Sequence, residues 1–125
     1  MKIVEGLLYS KDHEWVRLEG ETAYIGITDY AQNALGDIVF VEMPSVGDAI
    51  DPQAQVGVLE SVKAVAELYS PVGGTVTSVN SDVDATPELL NSDPYGSHIF
   101  VLSVGVIVED LMDAQAYGDY LKTLH

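Results

Sequence analysis

The chain has 125 residues, with five Lys and Arg against twenty Asp and Glu, and a formal net charge of −15. This length suits one domain with a modest core, and we expect a single domain over residues 1–125. The charge argues against nucleic acid or an anionic membrane surface as a partner, because both need a basic face.

Short apolar runs separated by turn residues predict strands along most of the chain. The predicted strands are residues 14–18, 22–27, 38–43, 57–61, 65–69, 75–79 and 98–104. One short helix interrupts them at residues 29–36. There Asp29 and Gln32 form a capping box, and Gly36 suits the helix exit.

Two further helical segments are predicted toward the C-terminus. Thr86 and Pro87 suit the N-cap and first positions of a helical turn over residues 86–90. Asp113 is placed to cap a C-terminal helix. Its apolar side chains recur at helical spacing, namely Tyr117, Tyr120, Leu121 and Leu124. Closely spaced strands with short helices at their margins predict a mainly β fold, either a small sandwich or a barrel.

Lys63 is the only Lys or Arg between Arg17 and Lys122, a stretch that holds seventeen Asp and Glu. It lies in Val62-Lys63-Ala64, where two strand-like runs meet. This tip lacks the Gly, Asn and Asp that primed hairpin turns prefer, so we expect a type I turn. The Lys63 side chain should then project into solvent.

Parity along the two arms predicts which hairpin side chains face the core. Val56, Val58 and Val62 share one parity on the first arm, and Val65 and Tyr69 share one on the second. Because alternate side chains of a strand point to opposite faces, we expect these five to point inward.

Lys63 could serve as a charge, a catalyst or an attachment point. Glu60 and Glu67 flank it and favour its protonated form. Catalytic lysines are usually desolvated or lie beside another cation, so a Schiff-base role is disfavoured. A solvated lysine paired with Glu60 or Glu67 and a lysine presented to a modifying enzyme both remain open.

Residues 60–64, Glu-Ser-Val-Lys-Ala, are followed by Ser-Pro-Val-Gly-Gly at 70–74. Together these segments resemble the lipoylation hairpin of the glycine cleavage system H protein family. Further matches follow in order along nearly the whole chain, at residues 11–16, 26–32, 35–42 and 87–96. One stretch departs: the family commonly has a Gly-Trp pair and a lysine-containing strand where residues 97–103 read Ser-His-Ile-Phe-Val-Leu-Ser.

The resemblance implies a barrel-sandwich hybrid with short flanking helices, one of them C-terminal. It also implies lipoic acid in amide linkage on Lys63, attached by a lipoate ligase or lipoyl transferase. The family is a carrier and not a catalyst. Glycine decarboxylase would pass an aminomethyl group to the lipoyl arm. An aminomethyltransferase would release ammonia and move the one-carbon unit to tetrahydrofolate, and dihydrolipoamide dehydrogenase would reoxidise the arm.

The resemblance further implies a surface cleft that receives the loaded arm. Glu14 and Glu67 match positions associated with that cleft, although Asp is common at position 67 and a Ser can occur where Asp12 stands. Carboxylates there would favour a cationic aminomethyl group. From the residues alone, Glu14 is equally an exposed strand carboxylate.

Several alternatives accompany this interpretation. Biotinyl hairpins place methionines beside the lysine, and Val62 and Ala64 therefore disfavour biotin. The chain could instead relay lipoyl groups to other complexes, or act as an acidic interaction module whose Lys63 is never modified.

Composition and spacing also argue against two other classes of site. The chain has no Cys, and His13, His98 and His125 are far apart, so we expect no metal site. No apolar run reaches transmembrane length and the N-terminus lacks an apolar signal core, so we expect the bacterial cytoplasm.

Overall fold

The computed structural model describes residues 1–107 and 111–124. Its strands are β1 (Leu8–Tyr9), β2 (Glu14–Glu19), β3 (Thr22–Ile27), β4 (Ile38–Glu42), β5 (Ala49–Ile50), β6 (Gln55–Ser61), β7 (Val65–Tyr69), β8 (Val72–Val79) and β9 (Phe100–Ile107). Its helices are α1 (Asp29–Leu35), α2 (Ser81–Ala85), α3 (Leu89–Ser92) and α4 (Ala114–Lys122). None of these helices is long and apolar enough to cross a membrane.

The strands form two antiparallel sheets. The larger has the order β1-β2-β3-β9-β8-β5, and the smaller has the order β4-β6-β7. In the smaller sheet β6 is central, so the β6–β7 hairpin that carries Lys63 supplies two of its three strands. The prediction of a mainly β fold with short helices, one of them C-terminal, is confirmed.

Two apolar clusters hold the sheets and helices together. The larger joins both sheets, with Ile25 and Phe100 from one and Leu59 and Leu68 from the other, all at most 3% exposed. The smaller packs α4 against β1 and β2, and the rings of Tyr9 and Tyr117 stack there with centroids 4.5 Å apart. This second cluster fixes the C-terminal helix beside the segment that precedes β2.

Helix α1 begins with a different cap from the one predicted. Thr28, not Asp29, is the N-cap, and its Oγ1 accepts from the Ala31 N–H at 3.2 Å. Asp29 is the first helical residue, and its carboxylate accepts from Gln32 Nε2 at 2.8 Å. Thr and Asp are both good caps, so the sequence alone does not choose between neighbours.

The later helices were predicted with mixed success. Asp113 does cap α4, where its Oδ1 accepts from the Ala116 N–H at 2.8 Å. Thr86 does not cap α3, which begins at Leu89 after a turn closed by the Leu89 N–H and the Thr86 carbonyl. Helix α2 was not predicted, although Asn80 caps it by accepting from the Asp82 N–H.

The predicted inward parity of the hairpin valines is wrong near the tip. Val62 is 70% exposed and Val65 is 68% exposed, whereas Leu59 and Leu68 are buried. On both arms the buried side chains belong to the opposite parity, Leu59 on β6 and Leu68 on β7, so Val58 and Val65 lie on the outer face. Valine favours strands whether or not it is buried, so its position did not reveal the face.

Candidate functional site

The turn that carries Lys63 is fixed by Ser61. The Ser61 N–H donates to the Ala64 carbonyl at 2.8 Å, and Ser61 Oγ accepts from the N–H groups of Lys63 and Ala64. Neither Val62 nor Lys63 has a positive φ, which excludes a primed turn as predicted. Backbone and side-chain bonds from one serine therefore define the tip.

Lys63 is exposed and projects beside the end of α1. A Cβ on Gly36 would lie 3.3 Å from Lys63 Cε, so the lysine stem passes close to this residue. Gly36 also has a φ of +77°, which glycine tolerates.

The reading of Lys63 as a partner of Glu60 or Glu67 is not supported by the geometry. Across residues 1–107 and 111–124, the ion pairs are Arg17–Glu19 and Lys122–Asp119. Lys63 therefore presents its amine without a carboxylate within ion-pair distance in the described part of the chain.

Asn91 of α3 holds the segment under the tip in place. Its Nδ2 donates to the Gly36 carbonyl at 2.8 Å and to Gln32 Oε1 at 3.0 Å, while its Oδ1 accepts from the Ile38 N–H at 2.9 Å. The next carbonyl, that of Asp37, accepts from the Val62 N–H at 3.0 Å. One amide thus joins α3, α1 and β4, and the tip rests on that junction.

A cleft of about 200 Å³ lies between α1 and β7, and we call it the α1–β7 cleft. Tyr30, Ala31, Ala34 and Leu35 of α1 line one wall. The other lining residues are Asp12, His13, Glu14, Ile27, Leu59, Ala66 and Glu67. The structure therefore brings Glu14 and Glu67 together although 53 positions separate them in the chain. Leu35 of this lining precedes Gly36, which Lys63 overlies.

Glu14 is a buried carboxylate, 2% exposed, so its reading as an exposed strand residue is wrong. Ser10 Oγ donates to its Oε1 at 2.6 Å, and the Tyr69 N–H donates to its Oε2 at 3.4 Å. Burial raises the pKa of Glu14 to about 7, against the hydrogen bond from Ser10, which lowers it. No cationic side chain among the described residues pairs with it.

Glu67 has a different environment from Glu14. It is exposed, and the Tyr69 hydroxyl donates to its carboxylate. That bond is the main cause of a raised pKa for Tyr69. The cleft thus has one desolvated and one solvated carboxylate, and a small cation bound there would lie near both.

His13 forms part of the cleft wall, and sequence reasoning had treated it only as an isolated histidine. Its Nδ1 lies 2.8 Å from the Tyr117 hydroxyl, which lies 2.8 Å from Thr28 Oγ1. Its backbone has a φ of +68°, and burial lowers its pKa. No local signal could have found this role, because Tyr117 is 104 positions away.

Metal binding finds no support in the described residues, which hold no group of three or more His, Cys, Asp or Glu side chains suited to an ion. The His98 ring lies edge-on to the Tyr24 ring of β3, with centroids 5.3 Å apart. His125 lies outside the described residues.

Comparison with known proteins identifies the family. A family model described as Glycine cleavage H-protein matches residues 7–124. The chain belongs to the glycine cleavage H-protein family. This membership confirms the resemblance seen in the sequence. The protein is a lipoyl-bearing carrier component of the glycine cleavage system and not an enzyme.

Individual relatives agree over nearly their full lengths. A glycine cleavage system H protein of Syntrophomonas wolfei is 51% identical over 121 residues, covering 95% of this chain and 93% of the relative. A probable glycine cleavage system H protein of Pyrococcus horikoshii is 48% identical over 127 residues, covering 98% and 95%.

A solved structure agrees as well. The crystal structure of a glycine cleavage system H protein from Mycobacterium marinum superposes with a TM-score of 0.91 at 31% identity. It covers 96% of this chain and 99% of that one. The expected barrel-sandwich hybrid fold of this family is confirmed.

Proposed function

We propose that Lys63 is the residue that bears the lipoyl group of this H-protein family member. The observation that carries the proposal is the Lys63 amine itself. It is exposed at the tip of a hairpin fixed by Ser61, has no carboxylate partner in the described residues and lies beside the α1–β7 cleft. A modifying enzyme needs an accessible amine on a defined turn, and this tip offers both.

The attachment chemistry asks little of the protein beyond presentation. The carboxyl carbon of an activated lipoate, such as the acyl adenylate, forms an amide bond with Lys63 Nζ. The activating group leaves with its electron pair, as AMP for an adenylate, and the amine gives up its protons to solvent. Because the amide is neutral, the formal charge of the chain falls from −15 to −16.

The α1–β7 cleft fits the arm that such an attachment would create. When bound, the dithiolane supplies a reversible redox pair and a thiol that holds a one-carbon amine. Leu35, Leu59 and Ala66 give the cleft an apolar floor for an alkyl chain. Glu14 and Glu67 are then placed to stabilise a cationic amine in its charged form.

The partners follow from this role. We propose that the lipoyl arm takes an aminomethyl group from glycine decarboxylase, delivers it to an aminomethyltransferase and is reoxidised by dihydrolipoamide dehydrogenase. A lipoate ligase or lipoyl transferase attaches the arm. We also propose that residues 1–125 form a single carrier domain and that the protein acts in the bacterial cytoplasm.

The test is a Lys63→Arg variant, with Lys122→Arg as the matched control. Both keep a positive charge at an exposed position, and only the first removes the proposed acceptor. After treatment with lipoate ligase, lipoate and ATP, the wild type and K122R should gain the mass of one lipoyl group. K63R should gain none and should not support exchange of glycine carbon with bicarbonate by glycine decarboxylase.

Two results would contradict the proposal. If K63R gains the lipoyl mass, the attachment site is elsewhere. If the wild type gains no mass under conditions that modify a known H protein, the chain is not lipoylated and the acidic interaction module becomes the better interpretation.

A further inference from the structure

Exposed apolar side chains concentrate around Lys63. Among the described residues, eight large hydrophobic side chains are exposed, and four of them flank the hairpin tip: Val39, Phe40, Val62 and Val65. We call these four the tip patch. The other four are Met1, Leu18, Val46 and Leu124, of which two lie near the chain ends. Scattered exposed apolar residues are ordinary, whereas a cluster of them marks an interaction surface.

Strand register places two members of the tip patch, Phe40 and Val65, on one face. Phe40 pairs with Glu60 on one side of β6, and Val65 pairs with Glu60 on the other. Directly paired residues of antiparallel strands point to the same face, so Phe40, Glu60 and Val65 form one outward row. The patch therefore spans the full width of the three-stranded sheet, with Val62 at its end.

Acidic side chains border the tip patch. Glu60 stands in the middle of the row, and the next outward row contains Glu42 and Glu67 on either side of Val58. These carboxylates form no ion pair in the described part of the chain. A surface complementary to this face is apolar at its centre and basic at its rim.

We propose that the tip patch is the docking surface for the enzyme that attaches lipoate to Lys63, an assignment that rests on the proposed function. That enzyme must bring Lys63 Nζ itself to an activated carboxyl group, so it must enclose the tip and the strands beside it. Enzymes that act after attachment reach the far end of the arm. The apolar surface therefore lies where the attaching enzyme, above the others, has to make contact.

The experiment compares Phe40→Ser and Val65→Ser with Val46→Ser. Val46 is 63% exposed and Val65 is 68% exposed, so the two valine variants remove similar side chains with similar exposure. Initial lipoylation rates are measured by intact mass at several carrier concentrations with lipoate ligase. We expect the KM for the carrier to rise about tenfold or more in F40S and V65S, with kcat retained, and to stay at the wild-type value in V46S.

A second measurement separates docking from folding and from other partners. F40S and V65S are first lipoylated to completion with excess ligase. Glycine decarboxylase should then exchange glycine carbon with bicarbonate at the same rate with these variants as with the wild-type carrier. Circular dichroism melting should show unchanged folding, because both side chains are exposed.

Each alternative result overturns the assignment in a distinguishable way. Wild-type KM in both variants means that the ligase does not use the patch, while Lys63 modification stands. If F40S and V65S lose as much activity with glycine decarboxylase as with the ligase, the patch is a docking face that both enzymes share. Concentration-dependent dimerisation of the wild type that F40S abolishes, seen by sedimentation, means that a second copy covers the patch. A wild type that cannot be lipoylated removes the proposed function along with this inference.

Discussion

Glu14 shows how one residue links stability to the cleft. Its carboxyl is buried, accepts bonds from Ser10 and Tyr69 and has no cationic partner among the described residues. Its pKa is about 7 in the folded protein and 4.5 in an exposed reference. Between these values the folded state binds the proton more tightly than the unfolded state does. Stability is therefore highest below about pH 4.5 as far as Glu14 is concerned, and falls as pH rises to about 7.

Glu14→Gln should remove this pH-dependent cost. Above pH 7 the ionised Glu14 lowers the free energy of unfolding by up to about 3 kcal/mol, because each unit of pKa difference is worth 1.36 kcal/mol. We expect E14Q to be more stable than the wild type by about 1–3 kcal/mol at pH 8 and to differ little near pH 4. Urea unfolding at the two pH values measures the difference.

Glu67→Gln is the matched control for Glu14→Gln. Glu67 lines the same cleft but is exposed to solvent. We expect less than about 0.5 kcal/mol of change at either pH. An E14Q protein that is destabilised at pH 8 would show that the bonds from Ser10 and Tyr69 outweigh the burial of the charge.

The resemblance pointed to Glu14, but the residues alone could not reveal its burial. Glu14 begins a strand that alternates, and an acidic residue there is usually solvated. Its burial depends on Tyr69, 55 positions away, and on Ser10 folding back over it. The exposure of Lys63 was easier to predict than the burial of Glu14. A lone cation in an acidic stretch is visible in the sequence, and its exposure follows from the turn.

At the scale of elements, Asn91 determines how the hairpin is supported. Its side chain joins α3 to α1 and β4. Between those contacts, the Asp37 carbonyl accepts a hydrogen bond from the Val62 N–H. Removal of this amide leaves the Gly36 carbonyl and the Ile38 N–H without their side-chain partner. The tip should then lose rigidity along with the junction.

Asn91→Ala should lower the free energy of unfolding by about 2 kcal/mol, since three hydrogen bonds with partly buried partners are lost. Asn33→Ala on the exposed side of α1 is the control, and it should leave stability unchanged or raise it slightly, because Ala is the better helix former. Hydrogen exchange should be faster at Ile38 and Val62 in N91A alone. Unchanged exchange at Val62 would show that the tip does not depend on this junction.

Helices and strands were predicted correctly where local sequence signals agree, and wrongly where two such signals compete. Helix α4 was predicted because Asp113 and its apolar stripe agree. The first helix was predicted with the wrong cap because two good caps stand side by side. The hairpin was predicted with the wrong face because both parities of its arms carry apolar side chains, such as Val58 and Leu59 on the first arm. That error hid the exposure of Val62 and Val65, on which the tip patch depends.

At the scale of the whole molecule, the fold was predictable because the strands recur in a regular order and the family match spans residues 7–124. The pairing of β3 with β9 and of β4 with β6 was not, since contacts between distant strands leave no local signal. Net charge is also a property of the whole molecule. With a formal charge of −15 and two ion pairs among the described residues, most carboxylates repel one another without compensation.

Added salt should therefore stabilise the protein. Raising NaCl from about 0.02 M to about 0.3 M shortens the Debye length from roughly 20 Å to roughly 6 Å, which screens repulsion across the surface. We expect the Tm at pH 8 to rise by about 4 °C, which corresponds to about 1 kcal/mol for a chain of this size. Near pH 4.1, the isoelectric point of the sequence, the same salt should change the Tm by less than about 1 °C. A Tm that rises equally at both pH values would assign the effect to exclusion of the salt from the protein surface, because the net charge is zero at the isoelectric point.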